Sequence, residues 1–249
     1  MNNKIIFILP PSEGKKSENK FNLEKLSFNF EKPLKISENV SEKDLKCSWK
    51  RFEEGLELNK KISSPQLSPE WELAFLDSIS RYSGVMFSAI DYENMTYNWK
   101  TFFEENFLIF SWMYWIIKPL DKIGNYKLPI ESKWLLDFWW TKVLEKINEL
   151  KPDFVVNLLP ISYSKLIFWK NKKQEKVFNN LRKFKIININ FIKPDWKKIS
   201  HWVKKIKWEW INNICEKNNL STGCFSSLQD FGWKIIKKEN NIVDINIII

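Results

Sequence analysis

Ile5-Ile6-Phe7-Ile8-Leu9-Pro10-Pro11-Ser12-Glu13-Gly14-Lys15 is the stretch that decides how this chain is read. Five apolar residues without polar alternation form a buried strand, and Pro10-Pro11 ends it. The polar turn from Ser12 to Lys15 then falls at a strand end, the usual place for a ligand loop in α/β folds.

The pattern continues outward from this strand. The polar stretch Ser41 to Ile62 has helical period, with Leu45, Phe52, Leu56 and Leu58 as its apolar stripe, and a second helix is expected over Glu70 to Ser80 after Ser68-Pro69. Next come a short strand at Gly84 to Ala89, a helix at Lys100 to Glu105 and one buried strand from Phe107 to Ile117. A helix from Leu135 to Leu150 closes at Lys151-Pro152, and a strand follows at Phe154 to Leu158. Further strands are expected at Phe184 to Phe191, Lys198 to Val203 and Trp233 to Lys237, with a helix at Glu209 to Lys217 and a last strand in Ile242 to Ile249. No repeat or long linker divides the chain. The expectation is one mixed α/β domain over 1–249: a mixed central sheet, flanking helices, and a helical insertion at about 41–80 after the first strand.

Several function classes fall away. Met1 to Leu9 is too short for a signal peptide, and the longest apolar run, Phe107 to Ile117, is too short to span a bilayer. A cytosolic monomer without membrane partners is expected. Cys47, Cys215 and Cys224 are odd in number and lack CxxC spacing, and His201 is the one histidine, so neither a thiolate zinc site nor an HExxH metalloprotease is suggested. GxGxxG, GxxxxGK[ST] and GxSxG are all missing, and no metal or cofactor is implied.

Charge is concentrated. Between Lys165 and Trp210 stand fourteen Lys or Arg against Glu175, Asp195 and Glu209, an excess of eleven in a chain whose net charge is +10. An anionic partner should meet the protein there, and lysines suit point contacts to phosphate better than bidentate reading of bases. The alternative is a solvated basic surface.

The Leu9 to Lys15 segment resembles the N-terminal signature of the YaaA family of peroxide stress proteins. Further segments agree in order and spacing: Arg81-Tyr82-Ser83-Gly84-Val85; Phe110 to Asp121 with its Lys118-Pro119-Leu120-Asp121 block, followed by Asn125-Tyr126-Lys127-Leu128; Phe138-Trp139-Trp140; Val156-Asn157-Leu158 with Tyr163 and Lys165; and Val203 to Trp208. The resemblance runs from residue 5 to about 235. It implies a cytosolic protein that limits hydroperoxide and iron damage and that binds DNA through a helix-hairpin-helix element. The expected place of that element, Ser41 to Ser80, nearly cancels its lysines with Glu42, Asp44, Glu53, Glu54 and Glu57.

The candidate site is therefore a basic cleft at converging strand ends, built from Ser12, Glu13, Lys15, Lys118, Asp121, Tyr126, Lys127, Asn157, Lys204, Lys205 and Lys207. Such a cleft fits DNA or a small anionic ligand better than a bare metal. Asp121 can equally be a structural cap or an ion-pair partner, and Asn157 and Tyr163 can equally satisfy backbone groups. An enzyme acting on a small anionic substrate is the rival reading.

One departure from the family pattern stands out. The chain has 14 Trp and only 6 Gly, where average usage would give roughly 17 Gly. At Trp112, Trp115, Trp140 and Trp208 the family pattern carries glycine, whereas Trp139 stands where it carries tryptophan. Either these are real tryptophans in a drifted homologue, or UGA codons that the cell reads as glycine have been translated as tryptophan. In the second case at least two of the four should be exposed or project into the cleft beside Lys15 and Lys118, and indoles there should lack partners for their N–H groups.

Overall fold

The computed structural model describes residues 4–16, 31–39, 75–126, 128, 133–160, 163, 180–192, 205–209, 212–213, 234–239 and 242–248. Its frame is a seven-stranded sheet in the order β4-β3-β1-β6-β7-β9-β8. The strands are β1 Ile5–Leu9, β3 Phe107–Ser111, β4 Trp115–Ile117, β6 Phe154–Asn157, β7 Lys185–Ile192, β8 Lys234–Glu239 and β9 Ile242–Ile248. Five neighbours, from β3 through β1, β6 and β7 to β9, run parallel, while β4 and β8 flank them antiparallel. A separate antiparallel pair joins β2 Phe75–Asp77 to β5 Lys122–Gly124.

All five residues of β1 are buried, as a parallel strand covered on both faces requires. The covering helices carry their apolar residues at helical spacing. Helix α4, Tyr97–Asn106, is capped by Thr96, whose Oγ1 accepts from the Trp99 amide, and it buries Trp99, Phe102 and Phe103. Helix α5, Lys133–Glu149, buries Leu135, Trp139, Val143, Leu144 and Ile147. A shorter helix, α1 Glu31–Asn39, inserts Ile36 into the same core. Chain order reverses around β1: the path goes out to β3 and β4, then returns across β1 to β6. Such reversals open a crevice at the carboxyl ends of the strands, and the Ser12 to Lys15 loop leaves β1 at that edge.

Mixed α/β architecture with a mixed sheet is what the sequence predicts, and most boundaries agree within one or two residues. Four segments differ. The helix expected over Glu70 to Ser80 gives way, within its described part, to β2 and the short helix α2 Ser78–Arg81, because Phe75 and Leu76 pair with Gly124 and Ile123. The strand expected at Gly84 to Ala89 is helix α3, Val85–Ile90, which buries Met86, Phe87 and Ile90 on one face. The single strand Phe107 to Ile117 is a hairpin, with residues 112–114 forming the turn between β3 and β4. Ahead of the helix expected from Glu209, residues 205–209 are already helical, as are 212–213. Residues 41–62 and 198–203 lie outside the described residues.

Candidate functional site

The loop after β1 is fixed from below by α2 and the residues that follow it. Lys15 bridges to Tyr82, the Ser83 amide donates to the Gly14 carbonyl at 3.0 Å, and the Lys16 amide donates to the Arg81 carbonyl at 2.8 Å. Ser12 seats directly on Gly84, where an added Cβ would come within 2.3 Å of the Ser12 hydroxyl. Any larger residue at 84 would push the Ser12 side chain from its place. Arg81, with 0 % of its surface exposed, donates from Nε to the Ile123 carbonyl at 3.3 Å and from Nη1 to the Lys16 carbonyl, so one buried guanidinium ties the loop to β5.

Beneath Lys15 lies a chain of buried hydroxyls drawn from three segments. Tyr82 and Tyr126 share a hydrogen bond of 2.8 Å, Ser111 donates to the Tyr126 hydroxyl at 3.0 Å, and the Tyr114 amide donates to Ser111 at 3.1 Å. The Gly124 amide donates to the Tyr114 hydroxyl at 3.1 Å. Burial pushes the Tyr126 phenol up to about 12, with the Ser111 and Tyr82 bonds opposing the rise. Burial also raises Tyr82 and Tyr114 well above the ordinary tyrosine value. These phenols are hydrogen-bonding neutral groups at physiological pH.

Lys15 rests on this platform. Its Nζ lies 4.0 Å from the centre of the Tyr126 ring and 5.4 Å from that of Tyr82, and it donates to the Ser12 carbonyl at 3.1 Å. Ring faces and carbonyl oxygens all favour a cation at this point. Glu13 is exposed, and its carboxylate adds to the rise that burial imposes on the Tyr163 phenol. Ser12, Glu13, Lys15 and Tyr126, together with Tyr163, thus form one neighbourhood.

The other candidates have different places. The Asp121 carboxylate, 3 % exposed, accepts from the Lys118 amide at 2.7 Å, while the Asp121 carbonyl accepts from the Ser78 amide at 2.8 Å. The Pro-Leu-Asp block is therefore a turn clamp that positions α2, and it leaves the Lys118 side chain exposed. Asn157 holds β6 to its neighbours: Nδ2 donates to Asn188 Oδ1 at 2.8 Å, and Oδ1 accepts from the Leu159 amide at 3.1 Å. Lys127 and Lys204 lie outside the described residues.

Lys205 pairs with Glu209 at 3.5 Å on an exposed helical turn. Lys207 on the same turn is only 8 % exposed, and burial pulls its ammonium down to about 8. The next residue, Trp208, packs on Trp99, Phe103 and Phe107, with ring centres 5.7, 5.8 and 5.9 Å away. Phe107 begins β3, whereas Ser111 under the Lys15 loop ends it, so the two groups of lysines are anchored toward opposite ends of that strand. Sequence reading did not pick Arg81, Ser111 and Tyr114 as site residues. The signal for Arg81 was its place at the head of the family-like segment Arg81 to Val85; Ser111 and Tyr114 sat in a run read as a single strand.

The sequence profile of the family described as peroxide stress protein YaaA matches residues 5–239. A UPF0246 protein of Fusobacterium nucleatum is 28% identical over 231 residues, covering 88% of this chain and 87% of its own length. A UPF0246 protein of Malacoplasma penetrans is 29% identical over 67% of each chain, and one of Rickettsia bellii is 28% identical over 66% of each. A match over most of the chain, spanning the strand-end loop and its supports, assigns the protein: it belongs to the YaaA family of peroxide stress proteins.

Proposed function

We propose that this protein works in the cytosol against hydroperoxide damage by holding an anionic partner, DNA or a small anion, at the loop from Ser12 to Lys15, with 1–249 acting as one domain and 41–80 as its helical insertion. The observation that carries the reading is the seat of Lys15. A lysine ammonium is centred over the Tyr126 ring at the carboxyl edge of parallel strands, held by the backbone carbonyls of Ser12 and Glu13. A fixed cation at a strand-order reversal is suited to phosphate or carboxylate. Lys118, exposed on the turn that follows β4, adds positive charge at the surface.

The test is a titration with a double-stranded oligonucleotide across a salt series. Phosphate contacts predict a linear fall of log affinity with log salt. Absence of binding at low salt would remove DNA and leave the second reading, an enzyme acting on a small anionic substrate. That reading is favoured by one specific feature, the relay of hydroxyls Tyr82, Tyr126 and Ser111 beneath the Lys15 ammonium, which could position a proton next to a bound anion.

A further inference from the structure

The hairpin between β3 and β4 forces the backbone of residue 115 into φ 80°, where Ser111 and Trp115 close the turn. This left-handed region is open to glycine and strained for a bulky side chain, and closing positions of hairpins are where bulged turns use glycine. The indole placed there is not satisfied either: the buried N–H groups of Trp115 and Trp112 find no acceptor in hydrogen-bond geometry among the described residues. Trp112 borders the Tyr163 hydroxyl and favours its ionised form without completing such a bond. Trp139 shows what a fitted indole does in the same cluster, since it sits in α5 and donates to the Trp112 carbonyl at 2.8 Å. Trp99 also lacks an acceptor, yet its backbone is helical and α4 buries it. The backbone, not the unpaired N–H alone, therefore singles out position 115.

Neither Trp112, at 2 % exposure, nor Trp208, at 3 %, is exposed, contrary to the expectation that at least two of the four would stand out, and the side chain of Trp140 lies outside the described residues. Trp208 is packed among aromatic rings on a helical turn that asks for no glycine. The inference is confined to the hairpin.

We infer that residue 115 is glycine in the protein the cell makes, through a UGA codon read as glycine, and that the space the Trp115 indole fills is a slot for a planar ring bearing negative charge. The slot is defined by what holds the indole: the Trp139 ring is stacked on it at 5.7 Å and 14°, and the Lys32 ammonium stands 3.4 Å from its centre. Burial and the neighbouring Lys142 both disfavour the charge on Lys32, with Glu31 and Glu145 opposing them and Lys146 adding a weaker repulsion. An anionic ring would relieve that repulsion while stacking on Trp139. The slot deepens the proposed anion-binding function, but its tests do not depend on DNA binding.

The codon at 115 and the mass of the corresponding peptide from native cells come first: UGA and glycine are expected, and UGG with tryptophan overturns the assignment. In recombinant protein, Trp115→Gly should melt higher than Trp115→Ala by roughly 2–6 °C, since both lose the indole and its stacking on Trp139 and only alanine keeps a Cβ at φ 80°. A glycine variant that melts no higher than the alanine variant overturns the assignment. Indole-3-acetate should then raise the melting temperature of Trp115→Gly more than neutral indole does, and leave the tryptophan chain unmoved. No shift in the glycine variant means that the slot closes, which overturns the ring site.

Discussion

Lys15 and Lys207 were expected in one cleft, and the structure gives them opposite treatment. Lys15 lies on tyrosine faces and backbone oxygens at the carboxyl end of β1, in a region tied together by Arg81 and a run of satisfied hydroxyls. Lys207 is driven into an apolar setting on a helical turn whose Trp208 packs near the start of β3, and burial pulls its ammonium toward neutrality. A count of positive charge treats the two alike. Their surroundings separate a lysine placed to meet an anion from one that weakens the fold while protonated.

The sharpest way to break this comparison is to remove each region's buried cation. Arg81→Met should destabilise by about 3 to 5 kcal/mol, because two charged hydrogen bonds disappear and the Ile123 and Lys16 carbonyls lose their donor. The unfolding midpoint in urea should fall with an unchanged slope. Lys207→Met should act in the other direction. The folded value of about 8 lies below the ordinary 10.5, so between those values the unfolded chain holds a proton that the folded chain lacks. Stability therefore rises with pH through that window, and below it the penalty is complete, on the order of 3 kcal/mol. The substitution should stabilise at neutral pH by about 2 to 3 kcal/mol and abolish the alkaline rise.

The tyrosines set the other side of that profile. Tyr82, Tyr114 and Tyr126 are raised by burial, so above about pH 10 the unfolded phenols ionise while the folded ones stay neutral, and stability falls. Denaturation curves taken from pH 7 to 11 should show a maximum near the lysine–tyrosine crossover. A flat profile would mean that neither group is as buried as described. Tyr126→Phe is the milder probe: losing the hydroxyl that joins Tyr82 to Ser111 should cost about 1 to 2 kcal/mol. If it costs nothing, the hydroxyl relay does not support the Lys15 seat.

Much of this frame was legible in the sequence where a single force dominates. β1 needed only an apolar run with a proline stop, and α5 only a long helical stripe closed at Lys151-Pro152. The misread segments are those in which a distant partner decides. Phe75 and Leu76 take a strand because β5 supplies the ladder, and Val85–Ile90 takes a helix that buries Met86, Phe87 and Ile90, with the Ser12 hydroxyl against Gly84 at its start. The β3–β4 hairpin was hidden because Trp112-Met113-Tyr114-Trp115 carries no turn residue; glycine at 112 and 115 would have announced it. At the site, the Ser12 to Lys15 loop was visible as a polar turn at a strand end. Of its aromatic floor only Tyr126 was named, since Tyr82 and Tyr114 join it only after the chain has folded.

Oligonucleotide affinity at low salt, measured side by side for Lys15→Ala and Lys207→Ala, decides whether the anion meets Lys15 or the basic turn at 205–209. Lys15→Ala should weaken binding and flatten the salt dependence by about one unit of slope, while Lys207→Ala should bind like the parent. Binding lost in Lys207→Ala and retained in Lys15→Ala would contradict the placement of the anion at Lys15.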